Sequence, residues 1–168
     1  MLGDWEQRPT ELRSLFNPAF CSLLIAQSVK DFEKEQESGN GMPFMMSHLL
    51  LPIALHTETR NLLPATTHTK IAHWINQHPQ VPLGFAERVR GCRSITSEGI
   101  RFGVAQGILT LDGSGALKHV PRKPRGLDRV ANTSPEVGAC FQAVRFLGRW
   151  FARVPDTVFL FRIFRLRP

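Results

Sequence analysis

The sequence predicts a mainly α protein of the α+β class. A helical core is joined by a winged-helix-like segment with a small β-hairpin, and a C-terminal helix packs back on the rest. Three observations predict it. Two helix starts are marked by a capping residue followed by proline, Asn17-Pro18 and Ser134-Pro135. The apolar spacing leaves the helical period only around residues 108–120, where a Gly-rich turn divides two apolar segments. The 168 residues are 42% hydrophobic and include twelve Phe and no Tyr, enough apolar mass for one substantial core and too much for a disordered chain. The expected organisation is a single compact domain over residues 1–168. Within it lie an N-terminal helical part at 12–64, a winged-helix-like part at 67–120, a basic linker at 121–133 and a C-terminal helical part at 134–168.

Taken in order, Pro18 opens a helix carrying Phe20, Leu23, Leu24, Val29 and Phe32. It should fade in the polar run 31–37, before the breaker Ser38-Gly39-Asn40-Gly41. Residues 42–55, MPFMMSHLLLPIAL, are apolar on nearly every face. Such a stretch predicts one central helix or a subunit contact, opened by Pro43 and kinked or divided at Pro52. Its end is expected near Arg60-Asn61. Thr66 or Thr67 should cap a short helix in which Ile71, Trp74 and Ile75 recur at i, i+3, i+4, ended by Gln77-His78-Pro79. Phe85 and Val89 predict a second short helix to about Gly91, and Ser94 or Thr96 a third carrying Ile100 and Val104. A hairpin over 108–120 should then turn at Asp112-Gly113-Ser114-Gly115. Three short helices followed by a hairpin is the order of a winged helix-turn-helix. Many such domains contact protein instead of DNA. Pro121 and Pro124 keep the linker PRKPRGLDRVANT out of regular structure. The helix opening at Pro135 has Val137, Phe141, Val144, Leu147 and Phe151 on one stripe. Pro155 stops it, and VFLFRIF forms a C-terminal apolar plug.

The formal charge of +7 is concentrated. Residues 1–120 balance, whereas 121–168 hold ten Lys/Arg against Asp128, Glu136 and Asp156. The candidate contacts for nucleic acid or an acidic partner are Arg122, Lys123, Arg125 and Arg129 in the linker and Arg145, Arg149 and Arg153 on the last long helix. Those three arginines, four residues apart, line one helix face and repel slightly, so an anion or an intramolecular carboxylate would suit them. A solvated face is the plainer alternative. Trp74 and Trp150 are the candidate aromatic anchors of a partner interface. No catalytic, cofactor or metal site is expected. The six histidines include no HExxH arrangement, and His48 reads as a core histidine. Cys21, Cys92 and Cys140 have neither disulfide nor metal spacing. The start MLGDWEQRPTEL lacks the basic and apolar regions of a secretory leader, and the apolar stretch at 42–56 is too short to span a bilayer. A cytoplasmic location without membrane contact is the expectation.

The strings NPAFC (17–21), GMPF (41–44), LLLPIALH (49–56), TRNLLP (59–64), FAERVR (85–90), FLGRWFAR (146–153) and RLRP (165–168) together resemble the middle component of bacterial three-component ABC systems. They cover nearly the whole chain in the same order. The resemblance implies a small subunit encoded with an ABC-type ATPase, itself related to chromosome-maintenance and repair ATPases, and with a variable third component. It implies antiviral defence against phage or other invading DNA, and no catalytic residues to carry over. The implied role is a non-catalytic adaptor whose partners are the ATPase and the third component, with weak non-specific DNA contact inside the complex and self-association as a further option. The alternative is a stand-alone winged-helix DNA-binding transcriptional regulator. Two departures are the basic stretch 121–133 and Phe161-Arg162-Ile163-Phe164-Arg165, where relatives have a more glycine-like turn.

Overall fold

The computed structural model describes residues 17–121 and 127–166. Its organising element is α1 (Pro18–Glu35), begun as the sequence predicts: Asn17 Oδ1 accepts from the Ala19 N–H at 2.8 Å and Pro18 occupies the first turn. The helix ends at Glu35, before Gly39 turns the chain with φ +62°. The residues that follow do not form one kinked helix. Met42–Pro43 is an edge strand, β1, succeeded by short helices α2 (Phe44–Ser47), α3 (Leu50–Ala54) and α4 (Thr57–Asn61). The two prolines explain the division. Pro43 has no N–H to donate and closes the strand as it caps α2, and Pro52 falls within the first turn of α3, where no backbone N–H is needed. The expected burial holds, since Leu49, Leu50, Leu51, Ile53 and Ala54 are wholly enclosed.

Helix α5 (Ile71–Gln77) forms with Ile71, Trp74 and Ile75 buried, but Lys70 is its cap residue, without a side-chain bond, in place of Thr66 or Thr67. The two short helices expected next are one 21-residue helix, α6 (Phe85–Ala105). Gly91, Ser94 and Thr96 read locally as a break. Packing overrides them: Ile95, Thr96, Gly99, Ile100 and Gly103 are all buried, and Gly99 rides directly on α1. The turn that would separate a supporting from a recognition helix is therefore not present in 85–105. Along this helix, Arg88 donates to Thr59 Oγ1 and the Val81 carbonyl and Arg90 pairs with Glu87.

The hairpin forms where expected, β2 (Leu109–Leu111) with β3 (Ala116–His119). Asp112 Oδ1 accepts from the N–H groups of Ser114 and Ala116 and from the Ser114 hydroxyl, and Gly115 supplies φ +79°. The hairpin is not isolated. β1 adds to its other edge in the order β1-β3-β2, all antiparallel, with Met42 opposite Leu117. A Cβ at Gly41 would stand 2.5 Å from the Leu117 carbonyl oxygen, so glycine lets the strands meet. Part of the expected linker is helical, as α7 (Leu127–Ala131).

Helix α8 (Pro135–Phe151) is capped by Ser134 Oγ, which accepts from the Val137 N–H. It runs alongside α1 in the same direction. Phe20 meets Phe141 near one end, Ser28 meets Gly148 midway, and Gln36 Nε2 donates to the Ala152 carbonyl at the other end. Helix α9 (Thr157–Ile163), capped by Asp156, carries the expected apolar plug. Phe164 reaches back to stack on Phe85, with ring centroids 4.7 Å apart, beside Trp74. One buried cluster thus extends from Cys21 to Phe164.

Gly148 sets the α1–α8 separation, because a Cβ there would overlap the backbone carbonyl oxygen of Ser28. Alanine is the better helix former by about 0.8–1 kcal/mol. Overpacking typically costs about 1–3 kcal/mol, and a backbone atom cannot swing aside as a side chain can. Gly148→Ala should therefore be net destabilising by up to about 2 kcal/mol, read as a lower urea midpoint. A midpoint at or above that of the parent would show that the two helices can separate freely.

Candidate interaction surface

The outer side of α8 is built by the same periodicity that builds its core side. Cys140, Phe141, Val144, Leu147 and Phe151 turn inward, which leaves Gln142, Arg145 and Arg149 facing outward. Arg145 is exposed and Arg149 half-buried, and neither has a carboxylate partner among the described residues. Arg153 lies just past the helix end and is paired with Glu35 of α1, so one member of the expected row has an intramolecular carboxylate. Arg129, on α7, is exposed. Arg122, Lys123 and Arg125 lie outside the described residues.

Trp74 and Trp150, expected as partner anchors, are core residues in this structure. Each is about 1% exposed, and they meet edge-to-face with ring centroids 5.3 Å apart. Their indole N–H groups are spent inside the protein, Trp74 on the Leu62 carbonyl and Trp150 on the Thr69 carbonyl, each at 2.6 Å. Neither ring is available to a partner. Among the described residues, the large apolar groups that are exposed are others: Met45, Leu83, Phe102, Val104, Leu111, Val158 and Phe159. They lay hidden in the sequence because they sit in elements whose outward faces only the packing defines.

Of three concavities among the described residues, the first two border some of these groups. A groove of about 690 Å³ lies between β1, the hairpin turn and α9, walled by Pro43, Phe44, Met45, Ala116, Val158 and Phe161. A cleft of about 360 Å³ separates residues 67–72 from the corner at 150–159. A shallower hollow of the same volume lies between α4 and α8, with Arg60, Gln142, Phe146 and Arg149 on its walls. The Arg60 side chain, only 5% exposed, is a tie and not a contact residue. Its Nη1 donates to the Ala54 carbonyl at 2.7 Å and its Nη2 to Glu136 Oε1 at 2.6 Å, joining α3 and α4 to the start of α8. Nothing in the spacing of Arg60 and Glu136 foretold that pairing.

The titratable side chains are tuned by burial. His48 is buried, as expected of a core histidine; its Nδ1 lies 3.2 Å from the Phe44 carbonyl, and burial lowers its pKa. His56 Nδ1 accepts from the Thr59 N–H and caps α4, with its pKa lowered by partial burial and by Arg88. The Cys21 thiol is pushed up to about 12 by burial, and burial also raises Cys92 and Cys140. A raised thiol pKa leaves little of the nucleophilic thiolate at neutral pH. Among the described residues no group of three or more His, Cys, Asp or Glu could hold a metal ion. No helix among them is long and apolar enough to cross a membrane.

A sequence-family model described as ABC-three component (ABC-3C) system Middle Component 3 matches residues 5–168. No curated protein and no solved structure matches the chain.

Proposed function

The chain belongs to the Middle Component 3 family of ABC-three component systems, and from that membership we propose that it is a non-catalytic adaptor joining an ABC-type ATPase to the third component of its system. The family match over nearly the whole chain carries the reading. It assigns a place in a multi-component system, and the structure offers such a role outward-facing arginines and bordered concavities on a well-packed core. The raised thiols favour a scaffold over an enzyme with a cysteine nucleophile. Defence against phage or other invading DNA is the process we assign to the complex.

Within it, Arg129, Arg145 and Arg149, with Arg122, Lys123 and Arg125 of the neighbouring segment, contribute weak DNA contact through phosphates. Such contacts give position and affinity with little sequence information. They become useful once the ATPase holds a duplex close by. The test uses the three co-expressed components. A complex containing all three should form with this chain and fall to its separate parts without it. Direct, undiminished binding of the ATPase to the third component in its absence would sink the adaptor reading. In the assembled complex, Arg145→Glu with Arg149→Glu should weaken binding of two unrelated duplexes alike. It should also flatten the log–log salt dependence by up to about one unit per lost phosphate contact. Arg153 is left in place because its pair with Glu35 ties α8 to α1. Unchanged affinity and slope in the folded variant would remove DNA from the role of this face and leave the adaptor reading standing.

A further inference from the structure

The cleft between residues 67–72 and the corner at 150–159 combines two chemistries. Its walls are largely apolar, formed by Ile71, Ala72, Val154, Pro155 and Phe159. Phe159 is 39% exposed, a large ring left partly in water at the cleft wall. Its rim is cationic. Lys70 is exposed and has no carboxylate partner among the described residues, and the Arg153 side chain remains 42% exposed while paired with Glu35. The one other carboxylate of the corner, Asp156, spends Oδ1 on the Phe159 N–H as the cap of α9. Below, Trp150 donates to the Thr69 carbonyl and thereby fixes the 67–70 segment against α8. The two walls are thus joined at their base by a hydrogen bond above an aromatic core.

A volume of about 360 Å³ is at the lower end for a small-molecule site and suits one or two side chains. Phosphates would use the rim but not the apolar walls. An uncharged apolar segment would use the walls and leave Lys70 without a counter-charge. A short peptide with a large apolar side chain between flanking Asp or Glu residues satisfies both. We propose that this cleft is a docking site for such an acidic, apolar-anchored segment of a partner protein, its apolar side chain between Ile71, Val154 and Phe159 and its carboxylates on Lys70 and Arg153. The proposal rests on the reading that the chain works by joining other proteins.

Panning a random twelve-residue peptide library displayed on phage against the full chain tests it. Enriched sequences should place Phe, Leu or Trp beside Asp or Glu. Their synthetic versions should lose roughly tenfold in affinity with Lys70→Glu, the effect of turning a rim attraction into repulsion. They should lose measurable binding with Ala72→Trp, which fills the cleft from an exposed position and leaves the core untouched. Circular dichroism identical to that of the parent confirms folding of both variants. No enrichment, enrichment of basic or purely apolar sequences, or equal binding by parent and variants would each overturn the proposal. Salt-sensitive binding of a single-stranded oligonucleotide that Ala72→Trp abolishes would overturn it in favour of a nucleic acid. The adaptor reading is judged separately, by assembly of the three components. Assembly that proceeds undiminished with Ala72→Trp removes the cleft and keeps the adaptor, and failure of the parent chain to assemble removes the adaptor whatever the peptides do.

Discussion

Trp150→Ala should cost about 3–5 kcal/mol through lost apolar burial and the cavity left behind, with about 1 kcal/mol more if the Thr69 carbonyl is left without its donor. The indole is enclosed among Trp74 at 5.3 Å and Phe146 at 5.1 Å between ring centroids, so little can collapse into the space it leaves. A domain of this size has about 5–15 kcal/mol to lose. The variant should therefore be partly unfolded at 37 °C and show a large fall in urea midpoint. Trp150→Phe keeps one aromatic ring and loses the N–H together with the rest of the indole bicycle, so its loss should be smaller, at about 1–3 kcal/mol. The difference between the two variants measures what the remaining ring contributes to the core. An alanine variant as stable as the parent would mean that Trp150 is not part of the core.

Phe141→Ala should be about equally severe, at about 3–5 kcal/mol. Phe141 is 2% exposed on the inward face of α8 and meets the half-buried Phe20 of α1 edge-to-face, at 6.1 Å and 77°. The contact closes the N-terminal end of the α1–α8 pair, where no hydrogen bond like that of Gln36 joins the two helices among the described residues. A double-mutant cycle with Phe20→Leu isolates the ring–ring part, expected at about 0.5–1.5 kcal/mol. Chemical denaturation of the four proteins provides the check. A melting temperature unchanged by Phe141→Ala would refute the inward assignment of this face.

The strings that carry the family resemblance fall at places the structure makes demanding. NPAFC starts α1 and brings Cys21 against Gly99. GMPF is the edge strand with its close-packed glycine, TRNLLP holds buried Arg60, and FLGRWFAR holds Gly148 and Trp150. The departure at 161–165 also has a structural counterpart. Arg165 has φ +56° as the Leu166 N–H donates to the Phe161 carbonyl, closing α9 at a position where glycine is favoured. A left-handed non-glycine residue there costs roughly 1–2 kcal/mol.

Local chemistry by itself determined the ends of α1 and the start of α8, the Asp112–Gly115 turn and the inward stripe of α8. A cap, a proline ring and a turn glycine act within a few residues, and a helical period needs only one face to be buried. Several features were decided by tertiary structure alone. Residues 85–105 became one helix because α1 buries Thr96 and Gly99, outweighing breakers that act only locally. Met42–Pro43 became a strand because β3 offers an edge that no residue near Met42 announces. Trp74 and Trp150 went to the core because the Leu62 and Thr69 carbonyls, distant in sequence from one tryptophan or the other, accept their indole protons. Arg153 found Glu35 in the same way, across 118 positions of chain. Burial of a polar or aromatic group is favourable only when a partner stands in the right place, and for these residues that place is set by other elements of the fold.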